Sequence, residues 1–206
     1  MESRRFVDGW ISCAKRAARS AASTLCALPL IALISPIAPI ALIACARSAY
    51  AQSPYAQSPT EYRLKAAFLY NFALFTDWPA GTGSSLNLCV YGADPFGKEI
   101  DALQDKPVGE RLLAVRRTPA GGSLEGCQIV FIGPSAIAGL PHVLGKLHGQ
   151  VALTVADSPD AARQGVALNM SVAQNKVSFE ANLSAARGAG LNLSSKLLRL
   201  ATQVIQ

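Results

Sequence analysis

The chemistry open to this 206-residue chain rests on few side chains: five cysteines, two histidines, a serine after an apolar run and one aromatic cluster. Cys13, Cys26 and Cys45 lie in the N-terminal quarter, which leaves Cys89 and Cys127 for the rest. An even pair favours a disulfide if the chain leaves the cytoplasm, with two buried thiols as the alternative. A 38-residue separation would make the bridge worth about 4 kcal/mol in the chain-entropy model. No CxxC is present, so a redox role is not expected. His142 and His148 are spaced i, i+6 and do not share a helical face. Without an adjacent carboxylate or cysteine cluster, they do not make a metal site.

Gly133-Pro134-Ser135 follows an apolar run like a nucleophile elbow, but Ile137 stands where G-x-S-x-G requires its last glycine. Ser135 is better read as a helix cap, and the free amides of that helix start make it a candidate anion site. Gly188-Ala189-Gly190 suggests a nucleotide cradle, yet the pattern breaks in Leu191-Asn192-Leu193-Ser194 and no strand precedes it. Those glycines read as a helix break. Phe68, Tyr70, Phe72, Phe75 and Trp78 crowd one helical segment. Tyr62, Tyr70 and Asn71 cannot all share its core stripe, so Tyr62, Tyr70, Asn71 and Trp78 form a candidate partner or ligand surface. No nucleophile–base set emerges, so neither an enzyme nor a cofactor is expected.

The elements that must position these residues follow from periodicity. Thr60 can cap a helix in which Leu64, Ala67, Phe68, Phe72, Phe75 and Trp78 recur at helical steps, ended by Pro79. Strands are predicted at 86–91, 111–117, 128–132 and 151–155, with a strand pair at 167–172 and 176–179. Helical turns follow Asp94-Pro95, Ser135 and Asp157-Ser158-Pro159, and a last helical region spans 183–204, interrupted near Gly188 and Gly190. Nearly continuous apolar strands alternating with helices imply an α/β fold of three layers. Its sheet would be mainly parallel, with flanking helices and a late antiparallel strand or hairpin.

The N-terminal segment differs in kind. Residues 1–20 carry Arg4, Arg5, Lys15, Arg16 and Arg19, residues 21–46 are almost wholly apolar, and Ala49 and Ala51 fit the small-x-small rule. Residues 1–51 therefore read as a signal peptide cleaved between Ala51 and Gln52. The rivals are a lipoprotein acylated at Cys45 and a retained membrane anchor. Pro29, Pro36 and Pro39 weaken the anchor. All three place the domain outside the cytoplasm. Six Lys/Arg against two Asp/Glu lie in residues 1–51, and thirteen against eleven beyond, so +4 of the formal +6 belongs to the leader. Charge thus makes no case for nucleic acid. Residues 50–59 repeat YAQSP, and 52–60 read as a flexible linker before a domain at 61–206.

Two motifs then carry a resemblance. Residues 61–72 (EYRLKAAFLYNF) with Phe75-Thr76-Asp77-Trp78-Pro79 open the domain. Val177-Ser178-Phe179-Glu180-Ala181-Asn182-Leu183, Ala189-Gly190-Leu191 and residues 194–201 (SSKLLRLA) close it. Together with Leu88-Cys89-Val90 and Gly126-Cys127-Gln128, the stretch 61–204 resembles the YfiR-like family of exported proteins. The resemblance implies a periplasmic regulator that inhibits a membrane-bound diguanylate cyclase through its periplasmic sensory part, in cyclic-di-GMP signalling. It also implies relief by an OmpA-like outer-membrane lipoprotein, a homodimer, and a bridge between Cys89 and Cys127. The family supplies no catalytic residues. Some members carry a second cysteine pair in the later half, which this chain lacks. A periplasmic small-molecule-binding or sensory protein is the competing reading; it would need an enclosed pocket with converging polar groups.

Overall fold

An apolar run of period two buries one set of side chains on each face of a sheet, and two layers must cover it. The computed structural model describes residues 59–174 and 176–206. The leader, Cys45, the Ala51–Gln52 junction and linker residues 52–58 lie outside the described residues.

The chain opens with α1 (Pro59–Leu74), so Thr60 lies inside the helix rather than capping it. The helix stops well before Pro79. The amide of Phe75 and the Thr76 hydroxyl reach back to the carbonyls of Asn71 and Phe72, and the Trp78 indole N–H donates to Ala73 at 2.9 Å. These contacts satisfy the carbonyls a helix end leaves open and release the chain into β1 (Thr76–Asp77).

Next come β2 (Ser85–Tyr91), the short α2 (Lys98–Asp101), β3 (Pro107–Val108) and β4 (Arg111–Thr118). After β5 (Ile129–Ile132), a 3-10 turn at Pro134–Gly139 leads into α3 (Leu140–Leu147). Then follow β6 (Leu153–Ala156), β7 (Leu168–Ala173) and β8 (Lys176–Asn182). The tail holds α4 (Leu183–Gly188), β9 (Asn192–Leu193), α5 (Ser195–Leu198) and β10 (Gln203–Ile205). It is therefore not one interrupted helical region. Asn182 and Ser194 cap α4 and α5 through their side chains. Gly190, at φ 72°, closes α4 with Gly190 N–H to Arg187 and Leu191 N–H to Ala186, so the expected helix break is a glycine-terminated one.

The eight-stranded sheet has the order β10-β8-β7-β6-β5-β2-β4-β3, and β1 pairs separately with β9. The α/β class holds, but the sheet is mixed rather than mainly parallel. The pairs β10–β8, β7–β6, β6–β5, β5–β2 and β2–β4 are parallel, while β7–β8 and β3–β4 are antiparallel. The β7–β8 hairpin is the late one expected. The β3–β4 hairpin turns at Gly109, at φ 60°, and two residues of β3 are too few to show a period.

Alternation sorts the core into two layers. Leu86, Leu88 and Val90 of β2, Phe131 of β5 and Val155 of β6 join Leu69 and Phe72 of α1, Ile100 of α2 and Leu197 of α5 on one face. Cys89, Tyr91, Val130 and Ile132 join Leu140, Val143 and Leu147 of α3 on the other. Phe179 of β8 stacks edge-on against Phe72 at 5.0 Å and Phe68 at 6.1 Å, which ties β8 to α1.

Candidate functional site

The most polar buried feature lies under α1. Tyr62, Ala66, Leu69, Phe72 and Ala73 face the sheet, and Lys65 falls within the same stripe. Its ammonium is carried inward to Asp157, the residue after β6, at the carboxyl end of the parallel strands. Lys65 Nζ lies 2.7 Å from Asp157 Oδ2 and 2.6 Å from Glu61 Oε1, and 4.7 Å over the Tyr62 ring. The side chains of Lys65 and Asp157 are 3% and 0% exposed. The Tyr62 hydroxyl donates to the same Asp157 oxygen at 3.2 Å, while Asp157 Oδ1 has no hydrogen-bond partner among the described residues. Burial first, then the charge and hydrogen bond of Asp157, push the Tyr62 phenol well above its ordinary value. A buried amine and carboxylate locked together suit a clasp between α1 and the sheet, not proton transfer. The clue in the chain was a lysine on an apolar stripe. Its partner, 92 residues away, carries no local signal.

The structure joins Cys89 of β2 to Cys127, with Cα atoms 5.8 Å apart. β5 pairs directly with β2, with Cys89 opposite Val130, and Cys127 lies two residues before β5. Arg116, opposite Cys89 on β4, places Nη2 2.7 Å from Cys127 Sγ and 3.0 Å from the Glu125 carbonyl.

Ser135 is not a helix cap. Gly133 occupies the capping position of the 3-10 turn, and the Ser135 hydroxyl accepts the Ala93 amide at 2.9 Å instead, tying the ends of β2 and β5 together. Gly92, at φ 101°, passes so close that an added Cβ would lie 2.7 Å from Ser135 Oγ. Gly92→Ala is therefore expected to cost about 1–3 kcal/mol, read as a lower urea midpoint with an unchanged slope. An unchanged midpoint would show that this crossing yields freely.

Of the candidate surface residues, Tyr62 is buried and is removed from that surface by its bond to Asp157. Asn71 is exposed. Tyr70 and Trp78 are half-buried, with the Tyr70 hydroxyl on the Pro107 carbonyl at 2.8 Å and Lys106 Nζ 5.2 Å over its ring. His142 and His148 are both exposed on or beside α3. Among the described residues no group of three or more His, Cys, Asp or Glu side chains could hold a metal ion, and no helix is long and apolar enough to cross a membrane. A groove of about 250 Å³ between α3 and α4 is lined mainly by Leu144, Leu147, Ala152, Ala185 and Ala189. Thr154 also lines it, but its hydroxyl already accepts the Ala167 amide.

No curated protein matches the chain. The family model described as YfiR/HmsC-like matches residues 62–202, from the first turns of α1 to the start of β10. With both end elements and the cysteine pair inside that match, the chain belongs to the YfiR/HmsC-like family.

Proposed function

We propose that this chain is a periplasmic regulator that restrains a membrane-bound diguanylate cyclase by binding its periplasmic sensory part, and so lowers cyclic-di-GMP. The family match over residues 62–202 carries the reading. The bridge between Cys89 and Cys127 supports an oxidising compartment. The leader is the means of reaching it, cleaved between Ala51 and Gln52. The protein acts as a homodimer and is withdrawn from the cyclase by an OmpA-like outer-membrane lipoprotein. It performs no catalysis: its effect is a population shift, in which binding one conformation of the sensory region holds the output low. Restraint from mostly active to mostly inactive needs on the order of 10⁴-fold preference for the inactive form.

Deletion of the gene is expected to raise cellular cyclic-di-GMP several-fold, and a plasmid copy should restore the low level. An unchanged level across growth conditions would overturn the cyclase reading.

A further inference from the structure

Most helices that cover a sheet are polar on the outside. Helix α1 is not. Its inner stripe is buried, yet its outer side shows Leu64 and Leu74, each about 40% exposed, with half-buried Phe68 and Phe75 at the margins. Helix α5 lies beside the end of α1, fastened by the Ser194 amide on the Phe75 carbonyl. Leu197 points its inner side into the same core layer that α1 covers, so the outer sides of both elements face away from the sheet in the same direction. On the outer side of α5 and its continuing turn, Lys196, Arg199 and Leu200 recur at i, i+3 and i+4, and all are exposed. Leu200 is 69% exposed, the most of the large exposed hydrophobics.

The charges of this face are mainly positive. Residues 181–206 contain Arg187, Lys196 and Arg199 and no Asp or Glu. Arg63 adds a fourth exposed cation from α1. Against them stand Glu61, bound to Lys65, and the exposed Asp77 of β1. Among the described residues Arg63, Lys196 and Arg199 join no ion pair. A protein partner would be expected to find aromatic anchors at a packed centre. Here exposed aliphatic side chains stand among cations, the composition of a surface that lies in a lipid headgroup layer.

We propose that the outer face of α1 and α5 docks on an anionic phospholipid bilayer, with Leu200 entering the headgroup region and Arg63, Lys196 and Arg199 meeting lipid phosphates. This goes beyond the regulator reading: it holds the domain flat on the membrane that contains its target, and converts a search in volume into one on a surface. Each cation near an anionic surface is worth roughly fivefold in partitioning, so three give on the order of a hundredfold preference for anionic over neutral vesicles.

The test is co-sedimentation of the full chain, as purified from cells, with phosphatidylcholine vesicles with and without about 30% phosphatidylglycerol, at about 0.1 M salt. The expected result is a strong preference for the anionic vesicles that collapses in high salt. Lys196→Glu/Arg199→Glu should reduce that preference at least roughly 25-fold, and Leu200→Ser should weaken anionic binding by roughly fivefold. Arg63→Glu, on a different element, should act in the same direction and guards against misfolding of the tail. Lys146→Glu, on the opposite face of the sheet, should change nothing. Residues 1–51 carry a net +4 of their own, so the decisive comparison is between the wild-type chain and the variants, which share that segment. Equal binding to both vesicle types, or a preference untouched by the reversals, would overturn the proposal. So would binding to an isolated periplasmic segment of a membrane protein that needs Leu200 while vesicles are ignored. The vesicles hold no protein partner, so failure here leaves the cyclic-di-GMP test standing, and the converse also holds.

Discussion

Lys65→Met is expected to lower unfolding stability by about 3–5 kcal/mol, the cost of stranding a buried charge. Methionine keeps the bulk of the lysine stem but removes the ammonium from a carboxylate that is fully buried. Asp157 would retain the Tyr62 hydroxyl on Oδ2, and its Oδ1 has no hydrogen-bond partner among the described residues to begin with. The double variant Lys65→Met/Asp157→Asn removes both charges and should recover about half of that loss, since neutralising a buried pair costs less than breaking it. Urea unfolding measures both. If the single and double variants are equally destabilised, the pair is not the source of the effect. Tyr62 supplies a pH signature in the same place. Burial and Asp157 raise its folded phenol above the unfolded value of about 10, so the folded state holds the proton longer than the unfolded chain does. That contribution is complete below pH of about 10 and is lost as pH rises beyond it. Tyr62→Phe should therefore flatten the alkaline limb of the stability curve while leaving the neutral region only lower.

The legible parts of this fold are those whose cause is local. Strands β2, β5 and β6 show as short apolar runs because both their faces are covered, and Gly92 and Gly133 stop the first two. The β7–β8 hairpin shows because its two runs flank one turn around Gln174, at φ 51°. Elsewhere distant chain decides. Trp78 fits the periodicity of α1, but its indole folds back on Ala73 and the backbone pairs with β9, which lies more than a hundred residues later. Strands β9 and β10 are two and three residues long and exist only through β1 and β8, so their apolar residues look like a continuing helix. Ser135 has the right type and place for a cap. Its choice of the Ala93 amide depends on β2 and β5 being neighbours, which strand order alone determines. The disulfide was approachable because once the leader is set aside only two cysteines remain. The Lys65–Asp157 clasp was not, because a lone aspartate after a strand has many possible partners.

Cys89→Ala/Cys127→Ala is expected to cost about 4 kcal/mol, the loop-closure value for a separation of 38 residues. The bridge ties the middle of β2 to the entry of β5, two neighbouring interior strands whose side chains feed both core layers. Its loss should therefore loosen both core layers at once, appearing as a lower urea midpoint for every probe rather than as local fraying. Burial gives a second, kinetic expectation. Cys89 and Cys127 are 0% and 2% exposed, so a reductant reaches the sulfurs only when the sheet opens. Reduction of the native protein should be slow and should accelerate with urea in step with unfolding, and the reduced protein should then show the stability of the double variant. Native protein reduced as fast as the unfolded chain would mean that the sulfurs are open to solvent in solution and that the bridge does little to hold the core. The same difference links compartment to abundance. A copy kept in a reducing compartment would form without the bridge, unfold more often, and be removed faster than the bridged form of the same sequence.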